Sequence, residues 1–312
     1  MTDKIKIGVV FGGTSNEREV SLFSGSQIIN NLNKEKYDIR TYDSKINLKE
    51  LISDCLDKKI DFCLIALHGR GGEDGSIQGM LDLLKMPYSG SGTISSALCL
   101  DKSLAKKIVK LSGLLVPNDL IIKKNDWQNN KNGLSETILN SFKLPLVVKP
   151  NSAGSSVGVN IVKNENQLIE AIEESFWHDQ VIILEEYLKG LEVTAPILGD
   201  RALPLIEIIP TNEFFDYEAK YTVGQCQEII PARLSNELTK EVQQQALKIA
   251  EILKCQGLSR IDFIIRDKEI FFLETNTIPG MTANSLCPKS AQADGLNFSD
   301  LLDKIIELAL KK

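Results

Sequence analysis

The sequence has only two histidines, no closely spaced cysteine pair and no long apolar run. With His68 and His178 alone, a Ser/His/Asp or Cys/His triad has almost no basis. The six cysteines include no C-x-x-C pair, which is typical of reduced thiols in an intracellular protein. No apolar run approaches the roughly 20 residues of a membrane span, and no signal-peptide pattern precedes the first strand. We therefore expect a cytoplasmic protein.

Excess positive charge is also missing. The formal net charge is −6 at pH 7, which argues against a general nucleic-acid binder or a protein that binds anionic membranes. A content of 43% hydrophobic and 25% charged residues is ordinary for a globular protein. The 312 residues suffice for two or three domains of roughly 100–200 residues each.

Two short apolar runs near the N-terminus each end at a glycine-rich segment. Residues 5–11 lead into Gly12 and a helix, and residues 62–67 lead into His68 and the glycine-rich residues 69–79. This alternation predicts a parallel α/β domain. Ligands of such sheets lie beyond the carboxyl ends of the strands, where both glycine-rich segments fall.

The middle of the chain predicts one long helix followed by a compact unit. Apolar residues recur at spacings of three or four over residues 94–111, and Gly113 follows, so we predict a single helix there. A strand–loop–strand–helix–strand pattern then covers residues 144–184. The first domain boundary is expected near the long helix.

The C-terminal part predicts a helix, a hairpin and a final helix. The first helix is expected at about residues 238–255. Two strands, residues 258–265 and 269–276, are expected to form the hairpin. Ser299 is expected to cap a helix over residues 300–310.

Polar residues alternate along both strands of this predicted hairpin. Arg260 and Asp262 share one face of the first strand, and Glu274 and Asn276 share one face of the second. If the two faces coincide, two carboxylates and an amide oxygen offer the hard oxygen ligands that Mg²⁺ prefers. An ordinary ladder of salt bridges with Arg260 is the alternative.

A second candidate site is the segment "VVKPNSAGSSVG", in which a strand delivers Lys149 into a loop of glycine and serine. Small residues let backbone amides approach an anion, and lysine adds a point charge. The segment matches neither the P-loop nor the dinucleotide pattern. A flexible turn is the alternative.

Three further features each allow two interpretations. Glu17 either completes a capping box with Thr14 or binds a substrate ammonium. His68 is either structural or functional, at a strand end. Residues 214–224 form either a lid or a surface loop. Residues 150–158 would form a phosphate loop, and the hairpin of residues 258–276 would bind magnesium. Together with an α/β substrate domain, they indicate ATP-dependent activation of a carboxylate.

Eight segments in order extend this interpretation over nearly the whole chain. The chain resembles the D-alanine–D-alanine ligases of the ATP-grasp superfamily. The segments are "GGTSNEREVS", "ALHGRGGEDGSIQGML", "PYSGSG", "DK" at 101–102, "VVKPNSAGSSVG", "FFDYEAKY", "SRIDF" and "LETNTIPGMT" followed by "NSL".

The resemblance implies a three-domain fold and a reaction. The fold would be α/β, with an α+β ATP-grasp part. The domains would be an N-terminal α/β substrate domain (1–97), a central ATP-grasp subdomain with the phosphate loop (98–184) and a C-terminal one with the magnesium site and lid (185–312). ATP would phosphorylate one D-alanine, and a second D-alanine would attack the acyl phosphate, giving a dipeptide for peptidoglycan synthesis. Two Mg²⁺ ions, replaceable by Mn²⁺, and a homodimer are implied, with no nucleic-acid or membrane partner.

The resemblance also implies residue roles. The magnesium ligands would be Asp262, Glu274 and Asn276. The residues that bind ATP would be Lys102, Lys149, Ser155, Ser156, Glu185, Glu186, Tyr187, Leu188, Glu192 and Lys220. The substrate residues would be Glu17, His68, Ser285 and Leu286. The catalytic residues would be Glu17, Ser155, Tyr221, Arg260 and Gly280, with Tyr221 ordering the lid through Glu17 and Ser155.

This sequence departs from the family pattern at two places. Glu186 stands where the family often has lysine, so an adenine contact there would come from the backbone. Ser152 and Ala153 stand where the family often has arginine and glutamate, so the phosphate loop carries less charge.

Three alternatives to the dipeptide ligase differ in what the sequence would need. A D-alanine–D-lactate ligase commonly has histidine in place of the lid tyrosine, so Tyr221 favours the dipeptide. Another ATP-grasp carboxylate–amine ligase would not explain "EREVS" and "DYEAKY" together. A non-enzymatic binding module predicts loss of the magnesium ligands, yet Asp262, Glu274 and Asn276 are present.

Overall fold

The computed structural model describes residues 4–210 and 226–311. Its strands are β1 (Ile5–Phe11), β2 (Tyr37–Asp43), β3 (Phe62–Ile65), β4 (Asp119–Lys123), β5 (Leu146–Pro150), β6 (Asn160–Val162), β7 (Val181–Glu186), β8 (Leu191–Leu198), β9 (Arg201–Ala202), β10 (Ile206–Pro210), β11 (Cys226–Ile229), β12 (Leu258–Arg266) and β13 (Glu269–Asn276).

The helices in the described part are α1 (Arg18–Asn31), α2 (Leu48–Leu56), α3 (Ser76–Leu83), α4 (Thr93–Leu100), α5 (Lys102–Leu111), α6 (Lys124–Asn129), α7 (Lys131–Ser141), α8 (Leu168–His178), α9 (Asn236–Ile252), α10 (Leu286–Ala293) and α11 (Phe298–Leu310). None of these described helices is long and apolar enough to cross a membrane.

The N-terminal sheet is parallel, as the alternation of apolar runs and glycine-rich turns predicts. Its strand order is β2-β1-β3, and both neighbours pair with β1 in parallel. The loops after β1 and β3 therefore leave the same edge of the sheet. One carries Glu17 and the other carries His68. Strand β2 was not predicted, because its sequence "YDIRTYD" is largely polar and partly exposed.

The described strand pairs of the central and C-terminal sheets are antiparallel. The central sheet has the order β4-β7-β5-β6 and places Lys149 of β5 beside β7. The C-terminal sheet has the order β11-β10-β8-β12-β13, with β9 paired to β8. Its hairpin turns at Asp267 and Lys268, which adopt positive φ angles of 53° and 72°. The predicted hairpin is confirmed.

One hydrophobic core joins the two ends of the chain. Ile7 of β1 and Phe62 of β3 are fully buried in the same cluster as Leu302 and Ile306 of α11. Leu258 at the start of β12 belongs to this cluster too. The N-terminal sheet is thus packed against elements that lead into the polar hairpin, which brings the loops after β1 and β3 close to β13.

The prediction of one helix over residues 94–111 is wrong. The chain forms α4 and α5, separated by Asp101, whose backbone is extended at φ −79° and ψ 92°. The Asp101 carboxylate accepts a hydrogen bond from the Leu104 N–H at 3.0 Å. Aspartate is a strong N-cap because it satisfies an otherwise unpaired N–H of the first turn. The break makes Lys102 the first residue of α5.

The cap predicted for the last helix is also wrong. Asn297, not Ser299, precedes α11, and its side-chain oxygen accepts a hydrogen bond from the Asp300 N–H at 2.9 Å. Both side chains are good N-caps. Phe298 packs against the core when it is the first helical residue, which favours the earlier start.

Candidate active site

A cavity of about 1020 Å³ is lined by residues that follow β1, β3, β5 and β13. Its position agrees with the rule that ligands of an α/β sheet bind beyond the strand ends. The cavity brings together many of the residues singled out in the sequence. They are Glu17, His68, Lys102, Ser155, Arg260, Glu274, Asn276, Gly280, Ser285 and Leu286.

Glu17 contacts the phosphate loop rather than capping a helix. It stands at the N-cap position of α1 without a side-chain capping bond, so the capping-box interpretation is wrong. The Ser155 hydroxyl instead donates a hydrogen bond to Glu17 Oε1. A Cβ atom at Gly154 would lie 2.5 Å from Glu17 Oε2, so a larger residue there would displace the Glu17 carboxylate. The contact ties the loop after β5 to the loop after β1.

His68 is buried between two polar partners. It is 5% exposed, its Nε2 lies 3.2 Å from Ser24 Oγ, and its Nδ1 lies 3.6 Å from Glu73 Oε1. Sequence reasoning missed Glu73. Burial raises the pKa of its carboxyl; the hydrogen bond with His68 opposes this, and the charge of Glu17 adds to it. An acidic residue in a glycine-rich loop after a buried strand was the available signal.

The polar faces of the hairpin coincide, as the alternation predicts. Asp262 lies opposite Glu274, and Arg260 lies opposite Asn276, in the antiparallel register of β12 and β13. The Arg260 guanidinium donates to both oxygens of Asp262, from Nε at 2.9 Å and Nη2 at 2.8 Å. Burial lowers the pKa of Arg260, but Asp262 outweighs it and raises the pKa. The Arg260–Asp262 salt bridge therefore forms on the same face as Glu274 and Asn276, so the two alternatives do not exclude each other.

This face fits a magnesium ion by the chemistry of its donors. Asp262 and Glu274 supply carboxylate oxygens and Asn276 supplies an amide oxygen, which are the hard ligands that Mg²⁺ takes. Lys102 Nζ lies 3.2 Å from Glu274 Oε2, so positive charge is already stabilised there. Within residues 4–210 and 226–311, no group of three or more His, Cys, Asp or Glu side chains is arranged so that it could hold a metal ion by itself. Other oxygens, such as those of phosphate, must complete the coordination.

The lysines assigned to phosphates are both buried and paired. Lys102 Nζ donates to the Ala153 carbonyl of the phosphate loop at 2.7 Å. Lys149 Nζ lies 2.7 Å from Glu185 Oε2. Lys106, which sequence reasoning missed, lies 2.5 Å from Glu185 Oε1. Lys106 stands one turn after Lys102 on α5, but no local sequence pattern reports that it is buried.

The other predicted nucleotide residues lie along β7 and the start of β8, outside the cavity lining. Glu186 Oε1 accepts hydrogen bonds from the Asn118 backbone and side chain at 2.8 and 2.9 Å. Leu188 is buried in the turn between these strands. The predicted residues that do not line the cavity are Lys149, Ser156, Glu185, Glu186, Tyr187, Leu188, Glu192 and Asp262.

The residues predicted to bind a second substrate stand at the start of α10. Ser285 is the N-cap residue, and its hydroxyl accepts a hydrogen bond from the Thr282 N–H at 3.1 Å. A Cβ atom at Gly280 would lie 3.0 Å from Ser285 Oγ, so glycine keeps this corner open. Backbone N–H groups at a helix N-terminus favour a carboxylate.

Two predicted site residues cannot be placed among these. Lys220 and Tyr221, together with the rest of the predicted lid at residues 214–224, lie outside the described residues.

Two family models match the chain. The model described as D-ala D-ala ligase N-terminus matches residues 6–47 and 40–91, and the model described as D-ala D-ala ligase C-terminus matches residues 108–307. Together they span most of the chain, including both hairpin strands and the phosphate loop.

Relatives match over nearly their full length. A D-alanine--D-alanine ligase from Syntrophobacter fumaroxidans is 46% identical, covering 99% of each chain. A solved D-alanine--D-alanine ligase from Bacillus anthracis, complexed with ATP, is 39% identical with a TM-score of 0.84, covering 98% of each chain. The VanG D-Ala:D-Ser ligase from Enterococcus faecalis is 35% identical with a TM-score of 0.82, covering 98% of this chain and 100% of its own.

Proposed function

From the premise that this chain belongs to the D-alanine–D-alanine ligase family, we propose that it joins two D-alanines, using ATP and releasing ADP and phosphate. The observation that carries the proposal is one cavity lined by Glu17, Lys102 and the polar face of Glu274 and Asn276. A site for an ammonium, a phosphate and a metal ion within one cavity is what the ATP-dependent activation of an amino acid requires.

Activation must come first because a carboxylate is a poor electrophile. Glu17 binds the ammonium of the first D-alanine, and His68 lies near that substrate. Lys102 and Lys149 bind ATP phosphates, and the loop of Ser155 closes over them. Transfer of a phosphoryl group to the substrate carboxylate supplies a leaving group, and a closed loop keeps water from the acyl phosphate.

The second substrate is held from the other side of the cavity. Ser285 and the Leu286 backbone bind its carboxylate at the start of α10. Its amine attacks the acyl phosphate. Arg260 and the Gly280 N–H then stabilise the oxygen that becomes negative in the tetrahedral intermediate.

Asp262, Glu274 and Asn276 would hold two Mg²⁺ ions, which Mn²⁺ can replace. Bound there, the metal supplies positive charge against the phosphates. Arg260 orients the Asp262 carboxylate through its two hydrogen bonds. The remaining nucleotide roles go to Ser156, Glu185, Glu186, Tyr187, Leu188, Glu192 and Lys220, with Tyr221 ordering the lid.

The proposal extends to the organisation of the protein. The division into residues 1–97, 98–184 and 185–312 is supported by the three sheets, although the first boundary falls within α4 and the second within β7. We assign a homodimer, to be checked by light scattering during size-exclusion chromatography. A monomer at micromolar concentration would contradict it. A role in peptidoglycan precursor synthesis, with a cytoplasmic location where ATP is made, completes the proposal.

One assay tests the activity. Purified protein is incubated with ATP, Mg²⁺ and single amino or hydroxy acids, while phosphate release and product mass are followed. D-alanine should give phosphate and a dipeptide of matching mass. The proposal fails if D-alanine releases no phosphate while ATP binding is intact.

The same assay decides the identity of the second substrate. A mixture of D-alanine with D-serine or D-lactate tests for a different second substrate, because the VanG D-Ala:D-Ser ligase is 35% identical to this chain. A mixed product formed faster than the D-alanine dipeptide would assign this chain to the variant class. Product mass distinguishes the three outcomes.

A further inference from the structure

Lys106 is a buried cation with no role in the proposed reaction. It is 1% exposed and lies one turn after Lys102, on the same face of α5. Burying an ammonium group is unfavourable unless the group is paired. Lys106 Nζ lies 2.5 Å from Glu185 Oε1 and 3.4 Å from Asp119 Oδ1. Both carboxylates belong to the central sheet, where Asp119 and Glu185 are opposite each other.

Glu185 has a different lysine on each carboxylate oxygen. Lys106 lies at Oε1, and Lys149 lies at Oε2 at 2.7 Å. Burial acts to raise the pKa of Glu185, but the charges of Lys149 and Lys106 outweigh it and lower the pKa. Glu185 therefore stays ionised in the protein interior, with one lysine ammonium group at each of its carboxylate oxygens.

This arrangement bears on how Lys149 reaches a phosphate. To contact a phosphate oxygen, Lys149 must break its ion pair with Glu185 Oε2. If Lys149 were its only cation, Glu185 would be left as a buried unpaired charge, which is strongly unfavourable. Lys106 prevents this, because it stays on Oε1 and is itself held by Asp119.

We propose that Lys106 is a positioning residue for the nucleotide phosphates: it holds Glu185 so that Lys149 can exchange this carboxylate for a phosphate oxygen. The inference rests on the proposed nucleotide role of Lys149. It assigns Lys106 no contact with ATP. Its effect must therefore depend on the phosphates and on the charge of Glu185.

The dependence on the phosphates is tested by calorimetric titration with ATP, ADP and adenosine in the absence of D-alanine. Lys106→Met should weaken ATP and ADP binding roughly 10- to 100-fold, the range of a lost hydrogen bond between charged groups. Adenosine binding should be unchanged, and Lys106→Arg should retain most of the ATP affinity. Lys110→Met, an exposed lysine one turn further along α5, is the matched control. Equal loss for all three ligands would indicate a structural role and overturn the proposal.

A second background tests the dependence on Glu185. With Glu185→Gln, adding Lys106→Met should change ATP affinity by less than about threefold, because no carboxylate is left to retain Lys149. An equal loss in both backgrounds would mean that Lys106 acts on the nucleotide directly, which contradicts the proposal. If Lys106→Met does not fold, Glu185→Gln alone decides. Its ratio of ATP to adenosine affinity should be preserved or higher, and a lower ratio overturns the proposal.

These measurements distinguish a failure of the proposed ligase function from a failure of the proposed role of Lys106. An unmodified protein that binds no ATP would contradict the proposed function and the inference with it. An unmodified protein that binds ATP, with Lys106→Met binding it equally well, would overturn the inference alone.

Discussion

Single side chains in this protein acquire their chemistry from partners far away in the sequence. Glu17 meets Ser155 of another sheet, and Lys102 meets Glu274 across the cavity. The sequence singled out all four of these residues from local patterns and resemblance. It did not single out Glu73 or Lys106, whose importance comes from burial. Burial of a charge depends on every element packed around it, which no local pattern reports.

Glu274 gives the residue-scale test of the metal face. Glu274→Gln removes the charge but keeps the shape, so turnover with D-alanine should fall at least about 100-fold. Thermal unfolding without ligand should change little, because the side chain is 30% exposed at the cavity. Glu269→Gln, at the exposed start of the same strand, should leave activity unchanged. Near-normal turnover of Glu274→Gln would refute the metal role.

At the scale of elements, helix ends decide which side chains reach the site. The break at Asp101 aims α5 so that Lys102 and Lys106 are both buried. Apolar spacing could not reveal this break, because the spacing of apolar residues carries on from α4 into α5. The sequence signal for the break was Asp101, a residue type that favours the N-cap position. In β12 and β13, by contrast, alternation with a period of two residues correctly placed Arg260 with Asp262 and Glu274 with Asn276.

Asp101→Ala tests whether this cap serves the site. Losing an N-cap should lower the free energy of unfolding by about 1 kcal/mol. It should also raise the KM for ATP, because Lys102 occupies the first turn that the cap stabilises. Asn297→Ala removes the cap of α11 and should reduce stability similarly without changing the KM for ATP. Equal KM values in the two variants would show that the cap contributes stability alone.

At the scale of the whole molecule, contacts between sheets assemble the cavity. Arg70, from the glycine-rich loop after β3, lies 3.3 Å from Asp179 at the end of α8. Asp179 also accepts a hydrogen bond from the Ser152 N–H of the phosphate loop at 2.7 Å. At the N-terminal edge, Arg18 binds Asp43 at the end of β2 and the Gly13 carbonyl, which orders the chain before Glu17.

The Arg18–Asp43 pair predicts a dependence of global stability on pH. The hydrogen bond from Arg18 outweighs burial and lowers the pKa of Asp43 below its ordinary 3.8. A carboxyl with a lowered folded pKa stabilises the fold fully above its unfolded pKa, and this stabilisation is lost as the pH falls through the folded value. Asp43→Asn should therefore lower the free energy of unfolding at pH 7, measured with urea. The difference from the unmodified protein should shrink below about pH 4, and a constant difference would contradict the prediction.

By itself the sequence determined the α/β class, the hairpin, its polar face and the residues that resemble the ligase family. These follow from periodicities of two and of three to four residues and from short motifs, which act over a few neighbouring positions. Tertiary structure alone decided that Glu17 meets Ser155, that His68 rests on Glu73 and that Glu185 is shared by Lys106 and Lys149. Each of these depends on contacts between sheets and helices distant along the chain. Their energies depend on burial, which exists only once the chain has folded.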